Sequence, residues 1–432
     1  MIGLSRLIRT TFNRKFVNKL TRAVSQSIIM ADTAGKRAHT GTVGKVQGGK
    51  IGGQFVKTSK PSYIPHRIAL FEDLYKQQEE AYKKVDHPEI TVTLPDGKQI
   101  KGKSFETTAL DIATGISKGL AEAVVGAHIK YTNRLPNPVS SNYVAADAEE
   151  EEKHTDHTDI YDLHHKLEGD CNLALFKFDS KEGKTLFWHS SAHLLGEAIE
   201  DLYGAYLTHG PPLDNGFFYD AFIGDNRISK DNFPEIEKHI DGIIGANQPF
   251  QRLIVRKEQA AEMFKHNPFK LAFINAKIPD GADTSVYRCG NFIDLCTGPH
   301  VPTTGKIKAC KLTNSSSSYW LANNLNDSLQ RVYGISFPTK KELTEYAKIQ
   351  EELEKRDHRT IGEQQKLFVF TKYAPGCANF LPDGTRLFNR MTNLIRREYT
   401  VRGFNEVKTT MMNSEQLWLT SGHFFKYKDD MF

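Results

Sequence analysis

The chain has 432 residues, 39% of them hydrophobic, with 57 Lys and Arg against 52 Asp and Glu and five cysteines. That length leads to an expectation of about three domains, and no apolar run approaches the roughly 18 residues of a membrane-spanning helix. The odd cysteine count, without a Cys-x-x-Cys pair, argues against a secreted disulfide framework and for a reducing compartment. Residues 1–30 carry Arg6, Arg9, Arg14, Lys15, Lys19 and Arg22 and no acid, with Leu4, Ile8, Phe12, Phe16, Leu20 and Val24 at steps of four. This amphipathic, basic pattern is that of a mitochondrial presequence, and the alternative is a basic arm that touches RNA. Met30 would serve as a second, cytosolic start. Residues 31–60, rich in Gly, Lys and Thr, are expected to form a flexible basic tail.

Helical spacing of Ile68, Phe71 and Leu74 predicts a helix within 61–87. Ile90 to Ile100 alternates around Pro95-Asp96-Gly97 and predicts a hairpin. Ala109 to Ile129 is expected to be helical on Leu110, Ala113, Leu120, Ala121 and Val124. Residues 131–159, with Pro136, Pro138, the run Glu149 to Glu152, His154 and His157, are expected to be a disordered acidic insert, a solvated loop rather than a histidine-rich metal site. Two motifs then stand out: His189-Ser-Ser-Ala-His193 and Asp294-Leu-Cys296-Thr-Gly-Pro-His300. Each puts two nitrogen or sulfur side chains four positions apart, so that both project from one face of a helix or helix end. Four such groups suit tetrahedral zinc, or serve as bases and positioning groups for a hydrolytic water, and the spacing does not choose between them. Residues 338–367 read as a charge-laced helix with Leu343, Tyr346, Ile349 and Leu353 on one stripe. Another helix carries Leu387, Met391, Leu394, Ile395 and Tyr399.

The stretch Leu186 to Ile199, with Gly210-Pro-Pro-Leu-Asp-Asn-Gly-Phe-Phe-Tyr-Asp220, Phe292 to His300, Tyr319-Trp320, Leu329 to Gly334, Arg356-Asp-His-Arg359 and Thr420-Ser-Gly-His423, resembles threonyl-tRNA synthetases. The similarity covers roughly residues 60–432 and centres on the second editing module of that family, shared in outline with alanyl-tRNA editing proteins. It implies an α/β (α+β) multidomain chain: an N-terminal helix at 61–87, a TGS-like β-grasp domain at 88–180 with the insert 131–159, an α+β editing domain at 181–337 and a linker helix at 338–367. The start of a class II catalytic domain, with motif 1, would follow at 368–432. An enzyme that accepts threonine must reject serine, one methyl group smaller, and a pocket gains only about 1–3 kcal/mol from that difference, so a hydrolytic second site is needed. The resemblance implies hydrolysis of mischarged Ser-tRNA(Thr) by His189, His193, Lys270, Asp294, Cys296 and His300. His189 and His193 would act as bases or hold the terminal ribose hydroxyl. Lys270 aligns with the family's site lysine, Cys296 would discriminate by bulk, and His300 would bind the amino acid end. It favours water-mediated, metal-free chemistry over a zinc quartet or a Cys296 thiolate nucleophile.

Two departures accompany the resemblance. Thr410 stands where motif 1 has proline, which puts the family homodimer in question. Motif 2, the catalytic zinc ligands, motif 3 and the anticodon-binding domain find no counterpart before Phe432, so no ATP, Mg or Zn site and no aminoacylation is expected from this sequence. The apolar faces around Leu387 to Phe404 are expected to be left uncovered. tRNA(Thr) is the expected partner, with threonine, serine and ATP those of the complete family enzyme. The competing expectation is a non-catalytic tRNA-binding or dimer-interfering partner of that enzyme. Cytoplasmic localisation is expected, with a mitochondrial form from Met1.

Overall fold

The computed structural model describes residues 45–139, 143–144, 159–428 and 431. These divide into two compact units, one reaching Leu343 and one beginning at Thr344. The proposed presequence, residues 31–44 of the 31–60 tail, and the acidic run with His154 and His157 lie outside the described residues.

Residues 45–60 depart from the flexible tail expected of them. Backbone amides of Ile51 and Gly52 donate to Asp327 Oδ2 at 2.6 and 2.9 Å, and Trp320 Nε1 donates to the Gln47 carbonyl at 2.8 Å. Val46, Ile51 and Phe55 pack on a cluster of Phe222, Phe269, Ala272, Trp320 and Leu329. Composition read as flexible because the few apolar side chains are spaced one per turn of an extended strap, a pattern without helical or strand period. The strap leads into helix α1 (Tyr63–Lys84).

The β-grasp module begins with β1 (Glu89–Thr93) and β2 (Gln99–Lys103), the expected hairpin, turned by Gly97 at φ +83°. Helix α2 (Ala109–Ile116) starts at a Thr108/Asp111 capping box. The helix expected to run to Ile129 stops there. Ser117 is extended and caps a short α3 (Lys118–Ala123), and Val124–Arg134 forms β3 instead. Val124, Val125, Ile129 and Thr132 are β-branched and fit a pleated surface better than a helical turn. β3 therefore takes in residues 131–134 of the expected insert. At its far end Tyr143 bridges to Asp283, and Val144 donates to the Asp283 carbonyl at 2.7 Å. With β4 (Ile160–Tyr161) and β5 (Gly169–Lys177) the sheet runs β2-β1-β5-β3-β4, the β1-β5 pair parallel and the rest antiparallel. Its core holds Ile90, Val92, Ile112, Ile129, Leu163, Leu167 and Leu173.

The second module is built round helix α4 (Lys181–Tyr203), capped by Ser180 and ended by Gly204 in the left-handed region. Nearly every side chain from Leu186 to Glu200 is buried, since α4 is wrapped by two sheets. One sheet comprises β6 (Tyr206–His209), β7 (Pro212–Leu213), β8 (Gly216–Phe222), β12 (Ala309–Tyr319) and β13 (Ser328–Phe337), in the order β12-β13-β8-β6 with β7 beside β8. The other is antiparallel, β11-β10-β9, from β9 (Gln251–Arg256), β10 (Asp283–Cys289) and β11 (Phe292–Leu295). Gly196 of α4 is where the two meet: a Cβ there would lie 2.8 Å from the Tyr219 ring and 3.0 Å from Phe292. Helices α5 (Phe233–Ala246), α6 (Lys257–Met263) and α7 (Pro268–Lys277) complete the layer.

In the second unit the expected linker helix is two helices, α8 (Lys340–Lys355) and α9 (His358–Gln364), because Asp357 leaves the helix and caps the Arg359 amide at 2.8 Å. The hairpin β14 (Phe368–Thr371) and β15 (Ala374–Phe380) follows, then α10 (Pro382–Val401) and the short α11 (Glu415–Thr420) and α12 (Phe424–Tyr427). Leu387, Met391, Leu394, Ile395 and Tyr399 form an exposed stripe on α10, each about half accessible, and Phe404 is exposed beyond it. The Thr410 hydroxyl bonds Asn413 at 3.1 Å.

Helix α1 is tied to α4 by a buried ion pair. Arg67 donates to both Glu200 oxygens, at 2.9 and 2.5 Å, and both residues are almost wholly inaccessible. Burial raises the Glu200 pKa and Arg67 lowers it. Removing one partner of such a pair leaves a buried charge uncompensated. Arg67→Ala is therefore expected to lower the unfolding free energy of the protein by about 3–5 kcal/mol, read by urea denaturation. A loss below about 1 kcal/mol would mean that water reaches Glu200.

Candidate functional site

The six residues singled out in the sequence converge. His189 and His193 stand one turn apart on α4, Lys270 on the first turn of α7, Asp294 on β11, and Cys296 and His300 on the loop that follows. Cys296 Sγ lies 3.4 Å from His189 Nε2 and 3.2 Å from His300 Nε2. One donor atom from each of His189, His193, Cys296 and His300 lies within 4.8 Å of all the others. His189 is partly accessible and the other three are buried, so the cluster opens on the His189 side.

Lys270 Nζ bonds Asp294 Oδ1 at 2.7 Å, and both side chains are about 6% accessible. This is a desolvated pair, not a surface one. Asn267 sets it up: its side chain caps α7 by accepting from the Phe269 and Lys270 amides, while its own amide donates to the Leu207 carbonyl at 2.8 Å. Burial opposes the Asp294 charge, yet Lys270 and His193 hold its carboxyl below the ordinary range. His193 Nε2 is 4.0 Å from Asp294 Oδ2, and His193 Nδ1 is buried without a hydrogen-bond partner among the described residues.

His193 and His300 are held uncharged by their surroundings. Burial drives the His193 imidazole down to about 3, against the pull of Asp294, with His189 and Lys270 adding repulsion. Burial does the same to His300, aided by His193 and His189. A neutral imidazole offers a lone pair, which a base or a metal ligand needs.

Three supporting residues were missed by the sequence reading. Tyr219 donates its hydroxyl to Asp294 Oδ2, opposite Lys270. Ser190 Oγ sits 3.1 Å from His300 Nδ1, donates to the Leu186 carbonyl at 2.8 Å and accepts from the Val301 amide at 2.9 Å. Tyr287 packs edge-to-face on His300, with centroids 4.6 Å apart. Tyr219 lay in a quoted motif, but every residue of Gly216–Phe222 is buried, and nothing local marks a tyrosine hydroxyl that turns to a carboxylate.

Residues 90–177 match the TGS domain, and residues 284–333 match the threonyl and alanyl tRNA synthetase second additional domain. These matches give the chain a TGS domain and a domain of the synthetase editing type. It is 43% identical over 372 residues to a cytoplasmic threonine–tRNA ligase of Caenorhabditis elegans, covering 86% of this chain and 47% of the relative. It is 43% identical over 371 residues to threonine–tRNA ligase, mitochondrial 1, of Arabidopsis thaliana (85% and 48%), and 42% over 389 residues to threonine–tRNA ligase 1, cytoplasmic, of Rattus norvegicus (89% and 52%). The chain is thus homologous to threonine–tRNA ligases over most of its own length. It spans about half the length of the curated relatives it matches.

The buried imidazoles give a pH signature. His193 and His165 each fall from the ordinary 6.5 to about 3, chiefly through burial. Between those values the unfolded chain binds protons that the folded one does not, so stability drops as pH falls from about 6.5 toward 3, by up to about 1.4 kcal/mol per pH unit for each imidazole. The urea midpoint should fall between pH 7 and pH 5, and less steeply in His165→Asn. An identical slope in that variant would show His165 protonated in the folded state.

Proposed function

We propose that this protein hydrolyses mischarged Ser-tRNA(Thr) and spares Thr-tRNA(Thr), as the proofreading part of tRNA threonylation. The observation that carries this is the buried Lys270–Asp294 pair set against three imidazoles and one thiol around a common point, with Asp294, Cys296 and His300 inside the segment matched to the synthetase second additional domain. A water held by His189 or His193 would pass its proton to the imidazole as it attacks the ester carbonyl. The Lys270 ammonium would stabilise the oxygen that becomes negative, and this is worth more where water is excluded. Asp294, gripped by Lys270 and Tyr219, keeps that ammonium aimed. Cys296 would close the pocket against the extra methyl of threonine, and His300, fixed by Ser190, would bind the amino acid end.

A second reading has its own support. The four donors include a thiol and three imidazoles in a tight group, and the orphaned His193 Nδ1 is an atom that a metal would satisfy. His189, His193, Cys296 and His300 fit a zinc ion, which would supply an activated water in place of an imidazole base. ATP-dependent threonylation, the activity in the relatives' names, is proposed for the protein as a whole. tRNA(Thr) is its proposed partner.

His189→Ala and Lys270→Ala should each lower the rate of Ser-tRNA(Thr) hydrolysis by about a hundredfold, with exhaustive chelation leaving the wild-type rate intact. Equal hydrolysis of both esters, or full rates in both variants, would leave only a non-catalytic tRNA-binding role. A rate lost to chelator and restored by zinc would select the metal reading.

Relatives carry both cytoplasmic and mitochondrial names. We propose both destinations here. A fluorescent fusion starting at Met1 should enter mitochondria and one starting at Met30 should stay in the cytosol. The same diffuse pattern for both would remove the presequence.

A further inference from the structure

We propose that the β-grasp module shapes the candidate site: Asp162 and Tyr143 are positioning residues that act on His300 through Tyr287 and on Cys296 through Ser285. This rests on the hydrolytic reading above for its activity assay, though not for its geometry.

Two hydrogen-bonded chains run to the loop bearing Cys296 and His300, one from Asp162 just after β4 and one from Tyr143 in the β3–β4 connection. In the first, the Tyr287 hydroxyl donates to Asp162 Oδ2 at 2.6 Å, and both residues are buried. Asp162 is anchored within its own module, since the next residue, Leu163, is wholly buried and its carbonyl accepts from Leu110 at 3.0 Å. The Tyr287 ring meets His300 edge-to-face, while Phe250 stacks on the same imidazole at 4.9 Å and 17°. The phenol also supports the turn before His300: a Cβ on Gly298 would lie 2.3 Å from its oxygen. In the second chain, the Tyr143 and Ser285 hydroxyls are 2.9 Å apart, and Ser285 Oγ donates to the Cys296 carbonyl at 2.7 Å. Arg252 joins the two chains. Its guanidinium lies 5.2 Å from the Tyr143 ring centre, and its charge is favoured, against the cost of burial, by Tyr287, Tyr143 and Asp162. His164 adds a contact from the same turn, Nε2 to the Pro302 carbonyl at 3.3 Å.

The physical argument is one of freedom removed. His300 has one nitrogen 3.1 Å from Ser190 and the other 3.2 Å from the Cys296 sulfur, a weak partner, so the χ2 setting of its ring depends also on what packs its faces. Phe250 and Tyr287 hold them, and Asp162 fixes the Tyr287 phenol. A buried phenol that loses its acceptor must turn to find another or stay unpaired, and either shifts the imidazole it touches.

The test uses the full chain and single-turnover hydrolysis of Ser-tRNA(Thr) with protein in excess, alongside imidazole resonances of histidine-labelled protein, His300 being identified with His300→Asn. Tyr287→Phe and Asp162→Ala should lower the saturating rate about ten- to hundredfold, the cost of a small misplacement, and should move the His300 signals. The half-saturating protein concentration should stay within about threefold, because the tRNA contacts are untouched. Asp162→Asn, whose amide oxygen still accepts from Tyr287, should keep most of the rate and the wild-type His300 signals. Tyr143→Phe should lower the rate without moving His300. A wild-type rate with unmoved His300 signals in Tyr287→Phe would overturn the proposal, as would a loss confined to the half-saturating concentration. If the wild-type protein leaves Ser-tRNA(Thr) intact, the hydrolytic reading fails alone. The His300 signals then decide the positioning role: shifts in Tyr287→Phe and Asp162→Ala but not in Asp162→Asn support it, and any other pattern overturns it.

Discussion

The burial of Lys270 against Asp294 is the constraint from which the rest of the site follows. Taking an ammonium and a carboxylate out of water costs several kcal/mol each, and their attraction offsets this only if geometry is good and the remaining lone pairs are filled. Asp294 meets those terms through Lys270 on one oxygen and Tyr219 on the other. The same dry surroundings, with a fixed positive charge nearby, keep His193 neutral. A neutral imidazole and a carboxylate-held ammonium thus lie close together.

Holding that arrangement takes elements distant in sequence. Helix α4 is nearly all core, and its outer end is fixed to α1 by Arg67 and Glu200, about two turns beyond the second site histidine. Helix α7, which carries Lys270, is backed by Phe269 and Phe273 against Trp320, whose indole is in turn hydrogen-bonded to the strap at Gln47. The strap, the β-grasp module and the editing-type module therefore share one cooperative body, consistent with their forming a single compact unit to Leu343. The second unit differs in kind. Its main helix, α10, has a continuous apolar stripe at helical spacing that remains exposed. Side chains in that pattern lower their free energy by being covered.

The sequence by itself determined much of the site. His189, His193, Cys296 and His300 were legible because i, i+4 pairs of ligand-type residues form a local pattern. The hairpin at Ile90 to Ile100 and the start of a helix at Ala109 were legible for the same reason, since alternation and apolar spacing act over a few residues. The residues that lend the site its chemistry were less so. Lys270 was placed by resemblance alone, and Tyr219, Ser190 and Tyr287 bear no local mark of their roles. Val124 to Ile129 read as helix because its apolar spacing suits either period, and only pairing with β5 makes it part of a strand. Residues 45–60 read as a flexible tail because the partners of their amides, Asp327 and Tyr203, lie far along the chain. What the tertiary structure alone decided is burial: it desolvates Lys270 with Asp294, strips the protons from the imidazoles and brings Asp162 beneath Tyr287. Sequence fixes local conformation through short-range sterics and hydrogen bonding, whereas solvent exclusion depends on which distant segments pack together.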